Sequence, residues 1–160
     1  MPRNSANILI ILFAGALIAP AFASDPDFTG KWKLNETRSE IRALPMPFET
    51  LLEVRHEGTA VRCEARAKAG EQPHSCSFTT DGRESNASWA EWTMSSKSKW
   101  EGSALLLNSI LRTPNRQHTR MDRWKLSRDG ATLTIRRQIV GLHGESESTL
   151  VYERQTTPVQ

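Results

Sequence analysis

The chain has 160 residues, 21 Lys+Arg against 18 Asp+Glu, and a formal net charge of +3. That near balance, with basic residues scattered instead of clustered, argues against nucleic acid as a partner. No low-complexity tract and no internal repeat breaks the chain, so a single globular unit is expected.

The first 23 residues read as a removable leader. Arg3 supplies a basic start, Ile8 to Ala19 is an apolar run, and Ala21-Phe22-Ala23 forms an A-x-A site, so cleavage is expected after Ala23. The apolar run is shorter than the ~20 residues a membrane helix needs, so no membrane association is expected after removal of this signal helix. Residues 24–160 then form one domain, secreted or periplasmic, with room for a sizeable core. No oligomeric state follows from the pattern.

Residues 27–34 alternate, with Phe28, Trp32 and Leu34 on one face. Gly30 leaves a place on that face where a large group can approach closely. Asn35 is placed to cap one or two helical turns running to Ile41, a lid or plug in character. Pro45 and Pro47 end it and force an extended approach to the next strand. Within residues 49–57, Leu52, Val54 and His56 share a face. Within 59–68 it is Val61, Cys63, Ala65 and Ala67; within 74–80, His74, Cys76, Phe78 and Thr80.

A hairpin centred on Ala69-Gly70 sets Val61 opposite Phe78, Cys63 opposite Cys76 and Ala65 opposite His74. Directly opposed strand residues lie about 4.5–5.5 Å apart, so a Cys63–Cys76 disulfide is expected, in keeping with an oxidising destination. His74 beside the two cysteines offers three metal-ligating groups, but no fourth is evident, and neither a metal nor a cofactor is expected.

Asp81-Gly82 reads as the next hairpin turn. Residues 84–100 form one long strand or two, with Trp92, Met94 and Trp100 on one face and small Ser96 and Ser98 between them, a place for a void. Residues 104–112 are apolar on both faces: Leu105, Leu107 and Leu111 on one, Leu106 and Ile110 on the other. Pro114-Asn115 and Asp129-Gly130 make further turns. The register around the latter pairs Leu126 with Leu133, Trp124 with Ile135, Asp122 with Arg137 and Arg120 with Ile139. Leu150 and Tyr152 share the inward face in the last strand.

Eight to ten short strands joined by tight turns predict an all-β fold, an up-and-down antiparallel β-barrel whose last strand returns to its first. Phe28-Thr29-Gly30-Lys31-Trp32-Lys33-Leu34-Asn35, Thr80-Asp81-Gly82-Arg83-Glu84-Ser85, Trp100-Glu101-Gly102-Ser103-Ala104-Leu105, Asp122-Arg123-Trp124-Lys125-Leu126-Ser127 and Val151-Tyr152-Glu153-Arg154-Gln155 together resemble a group of secreted bacterial lipocalin-like proteins of the calycin superfamily. That resemblance implies a lipocalin and fatty-acid-binding-protein type of barrel holding a small apolar or amphipathic molecule. It also implies an arginine from the last strand packed on the first-strand tryptophan, Arg154 being the match by position. The Arg-x-Tyr carboxylate motif of fatty-acid-binding proteins is replaced here by Tyr152-Glu153-Arg154.

The inward face carries one polar constellation, Arg120, Asp122 and Arg137, with His118 and Ser148 at the same end. An arginine there can hold an anionic head group by charge-assisted hydrogen bonds. The competing expectation is a closed Asp122–Arg137 pair, partly solvated at the barrel mouth. Trp92, Met94, Trp124 and Tyr152 complete the expected ligand-binding set. No nucleophile and base can be grouped, so no enzymatic activity is expected. Two functions remain: an exported barrel enclosing a small hydrophobic or amphipathic ligand, or a packed-core barrel acting through its surface as an inhibitor or protein-interaction module. A contiguous void of roughly 300 Å³ or more marks the first, a filled interior the second.

Overall fold

A computed structural model describes residues 25–42, 48–67, 72–142 and 144–156. The expected signal peptide 1–23, Pro45, Pro47, the Ala69-Gly70 turn and His143 lie outside the described residues.

The predicted alternation becomes ten strands: β1 (Gly30–Leu34), β2 (Leu51–Glu57), β3 (Ala60–Arg66), β4 (His74–Thr79), β5 (Ser85–Trp89), β6 (Trp92–Glu101), β7 (Ala104–Thr113), β8 (Arg116–Leu126), β9 (Thr132–Gly141) and β10 (Gly144–Arg154). They form one antiparallel sheet in the order β4-β3-β2-β1-β10-β9-β8-β7-β6-β5. First and last strands pair, as expected, with Trp32 opposite Arg154 and Leu34 opposite Tyr152.

That junction is fastened by side chains. Trp32 is fully buried, and its indole N–H donates to the Phe28 carbonyl at 3.0 Å. The Arg154 guanidinium lies 4.2 Å from the centre of the Trp32 ring, the cation–π arrangement that the resemblance implied. Its Nε donates to the Gly130 carbonyl at 2.8 Å and its Nη1 to the Thr29 carbonyl at 2.5 Å. Gly30 is required here because a Cβ at this position would strike the same guanidinium.

The break in the sheet falls between β4 and β5, where the Asp81-Gly82 hairpin was expected. The link from Thr80 to Glu84 is too wide for a tight hairpin, because the Asp81 carboxylate accepts from the backbone and side chain of Arg83 and shapes the bend. No backbone ladder joins the two strands. Serines hold β4 to its neighbours across the break: the Thr79 N–H donates to Ser85 Oγ of β5 at 3.1 Å, and Ser98 Oγ of β6 donates to the Thr79 carbonyl.

Elsewhere the expected registers hold. Cys63 pairs with Cys76, with Val61–Phe78 and Ala65–His74 on either side, and the disulfide is formed. The β8–β9 ladder carries all four expected pairs. Residues 84–100 divide into two strands at Ala90-Glu91. The expected helix is a single 3-10 turn, Glu36–Arg38, capped by Asn35 Oδ1 accepting from the Arg38 N–H at 3.1 Å. It stops at Ser39 because Glu40 bridges to Thr149 through two backbone bonds of 2.8 Å, which draws the chain extended along β10.

Connectivity divides the interior. Near the β2–β3 and β6–β7 turns lies an aromatic floor, with Phe28 stacked on Trp100 at 5.8 Å and edge-on to Trp124 at 5.6 Å. Above it, toward the end where the β7–β8 and β9–β10 turns lie, the inward positions turn polar. Ser96, Ser98, Ser109, Arg120, Asp122, Arg137 and Ser148 are all buried. The void expected beside Ser96 and Ser98 does not form, since Ser96 bonds Ser109 at 2.9 Å and Ser98 bonds Thr79. On the outside, Leu106 and Ile110 of β7 are half-buried.

Substituting Gly30→Ala displaces the Arg154 guanidinium from the Trp32 ring and should cost about 1–2 kcal/mol, the order of a cation–π contact plus a hydrogen bond. Urea titration followed by tryptophan fluorescence measures it. Paired replacement of Cys63 and Cys76 by serine, which opens a loop of sequence separation 13, should cost up to about 3 kcal/mol in the same assay.

Candidate functional site

The polar layer is built from three strand residues and one that precedes a strand. The pleat of β8 sends Trp124, Asp122, Arg120 and His118 inward in succession, and β9 sends Ile135, Arg137 and Ile139 inward beside them. Arg137 grips Asp122 with two parallel bonds, Nε to Oδ1 at 2.9 Å and Nη2 to Oδ2 at 3.0 Å. Its remaining Nη1 donates to Glu49 Oε2 at 2.7 Å.

Glu49 was not among the expected site residues. Odd-numbered positions of 49–57 alternate outward, but the chain bends at Thr50 and β2 starts only at Leu51, so the pleat does not reach Glu49. Its carboxylate turns inward, 7% exposed. Tyr152 is buried beneath it and donates its hydroxyl to the Glu49 carbonyl at 2.8 Å.

Arg120 is 8% exposed and poorly served. Its Nη1 is 3.8 Å from Glu49 Oε1 and its Nε 3.4 Å from Asp122 Oδ2, yet among the described residues Nε has no hydrogen-bond acceptor. Among the described residues its guanidinium makes one hydrogen-bond contact, Nη2 to the Met94 thioether at 3.4 Å, a weak acceptor. His74 Nε2 lies 3.9 Å from Glu49 Oε1, and its ring stacks on Trp89 at 5.4 Å.

Two guanidiniums and two carboxylates thus cancel inside the barrel. Burial pushes the Glu49 carboxyl up, but the charge of Arg137, the adjacent His74 and the charge of Arg120 outweigh it and hold Glu49 well below the usual carboxylate range. Burial likewise disfavours the Arg137 cation, and Asp122 and Glu49 more than reverse this. The Tyr152 phenol is driven well above its ordinary value, first by burial and then by Glu49, so it stays protonated and keeps its donor proton. The Asp122–Arg137 pair therefore sits buried in mid-barrel, not partly solvated at the mouth as the competing expectation had it.

A cavity of about 20 Å³ adjoins this cluster, room for about one water molecule. Five of the expected ligand residues line it: Arg120, Asp122, Arg137, Met94 and Trp124. Tyr152 reaches the cluster only through the Glu49 carbonyl. Trp92 stands apart, its ring 5.9 Å from that of His118. Trp89, one of the aromatic residues able to line a pocket, does so, and Glu49 takes part where sequence reasoning did not place it. Cys63 is consumed by its bond to Cys76, and among the described residues no group of His, Cys, Asp and Glu is placed to hold a metal ion.

No protein-family model matches the chain, and no curated protein matches it in sequence. Solved structures share its fold. Apo lipid binding protein 8 of Caenorhabditis elegans superposes with a TM-score of 0.60 at 14% identity, over 83% of this chain and 100% of that one. An abundant heat soluble (SAHS) protein of Ramazzottius varieornatus gives 0.59 at 15% identity, over 80% and 95%. Zebrafish ileal bile acid-binding protein, complexed with cholic acid, gives 0.55 at 14% identity, over 80% and 98%. The chain has the barrel fold of the lipocalin and fatty-acid-binding-protein group.

Because the folded state favours ionised Glu49, the stability this residue contributes is complete above the ordinary carboxylate pKa of about 4.3 and is lost as pH falls below it. Glu49→Gln should lower stability at pH 7 by about 2–3 kcal/mol, and the gap to the native protein should narrow steadily toward pH 2. Thermal melts across that range read it directly.

Proposed function

We propose that the chain is an exported binding protein for a small amphipathic anion, not an enzyme. The head group sits on Arg120 and Arg137, and the apolar part lies against Met94, Trp124 and Leu107. One observation carries the reading. Arg120 is buried beside a second arginine with its Nε unanswered by any acceptor among the described residues, whereas a buried guanidinium ordinarily finds oxygen partners for its donors. A folded core gains little from buried charges that apolar residues of like volume would replace, so the cluster calls for a role beyond stability.

Fold neighbours that carry lipid or bile acid in their descriptions support the same class of ligand. Export is supported by the Ala21-Phe22-Ala23 leader pattern and by the disulfide, which suits an oxidising compartment. Among the described residues no helix is long and apolar enough to cross a membrane.

The second reading, a packed barrel acting through its surface, is favoured by the small interior. At about 20 Å³ the cavity is far below the ~300 Å³ of a formed ligand pocket, so a ligand chain has to displace side chains. The outward Leu106 and Ile110 of β7 would be its contact face.

Titration with dodecanoate and with dodecanol, followed by tryptophan fluorescence, separates the two. The binding reading expects saturable dodecanoate binding, weakened about 10–100-fold by Arg120→Met, the worth of one or two charge-assisted hydrogen bonds. Arg137→Leu should abolish it. Affinity that is unchanged in Arg120→Met, or no binding at all, overturns the anion site and leaves the surface-acting module.

A further inference from the structure

We propose that Glu49 is a tethered competitor: its carboxylate occupies the place of the ligand's head group, and a ligand binds only by expelling it. The proposal rests on reading Arg120 and Arg137 as an anion site, and it specifies how that site is regulated.

Position is the first support. Asp122, Arg120 and Arg137 project from β8 and β9, where the pleat and two flanking ladders fix their direction. Glu49 comes instead from the chain before β2. Thr50, its neighbour, is anchored, with its N–H donating to the Arg66 carbonyl at 2.8 Å and its carbonyl accepting from Leu34 at 2.9 Å. Glu49 thus stands just outside the sheet on a fixed base, and rotation of its side chain withdraws the carboxylate without disturbing the ladder.

Charge is the second. Without Glu49 the cluster holds two guanidiniums and one carboxylate, an excess of one positive charge in a buried layer. A single monoanionic head restores balance, whereas an uncharged head does not. Asp122 already occupies the Nε and Nη2 edge of Arg137, so the position left for an anion faces Nη1. Glu49 bonds that atom at 2.7 Å but falls short of Arg120 Nη1, at 3.8 Å.

A ligand carboxylate is not held at that distance by a backbone anchor and can bridge both arginines. This supplies the difference in interaction that a displacement needs. Space is the third support, since Glu49 lines the cavity together with His74 and Trp89, and its withdrawal enlarges the cavity.

A self-occupied site lowers apparent affinity by the fraction of molecules in which it is vacant, and removing the internal occupant lifts that penalty. Glu49→Gln should therefore bind dodecanoate about tenfold more tightly than the native protein, with no comparable gain for dodecanol. Glu49→Asp, which keeps the charge on a shorter arm, should gain less in the same direction and serves if the glutamine variant folds poorly. Native protein that binds dodecanoate while both variants bind it equally or more weakly overturns the competitor and leaves the anion site standing. Absence of dodecanoate binding in all three proteins overturns both.

Discussion

The barrel depends on one contact between its two ends in sequence. Arg154 of β10 lies over the indole of Trp32 of β1 and ties the carbonyls of Thr29 and Gly130 around it. This contact joins the first strand to the last, so the ten strands curl into a nearly closed wall instead of an open sheet. It also makes Gly30 necessary, since the guanidinium occupies the volume a Cβ would take. The break in the ladder falls in mid-chain, between β4 and β5, where hydroxyls of Ser85 and Ser98 bond Thr79 instead.

A closed wall makes the charged layer expensive. Moving an ion from water into a dry interior costs several kcal/mol, and the cost is recovered only with good geometry and full pairing. Arg137 has both, with three donors on two carboxylates. Arg120 has neither, with a thioether and two long approaches to oxygen. The contrast between two buried arginines on neighbouring strands of the same layer is what the proposed anion site rests on. The aromatic floor of Phe28, Trp100 and Trp124 supplies the apolar burial that lets the fold carry such a layer.

Where an element's structure follows from alternation and turn chemistry, it was legible. Cys63 opposite Cys76, Asp122 opposite Arg137 and the β1–β10 closure all follow from strand parity once one turn is located, because a register cannot slip by one residue without exposing a whole apolar face. Parity failed at Glu49, one residue before a bend. It also did not decide between Trp92, which lies tilted against the buried His118, and Trp89, which lines the cavity. The Asp81-Gly82 signal marked a real change of direction but not a paired hairpin, since the Asp81–Arg83 contacts that widen the bend are side-chain interactions.

By itself, then, the order of residues determined an all-β chain, which faces of its strands look inward, and that Arg120, Asp122 and Arg137 share an interior. Those properties are local, set by the two-residue period of a strand and by short turns. Only the tertiary structure decided that Glu49 joins them from 88 positions before Arg137, that Arg120 is left short of acceptors among the described residues, and that the cavity beside them has room for only about 20 Å³. Those depend on how side chains from separate strands fill a common volume, a distance in space that no spacing along the chain encodes.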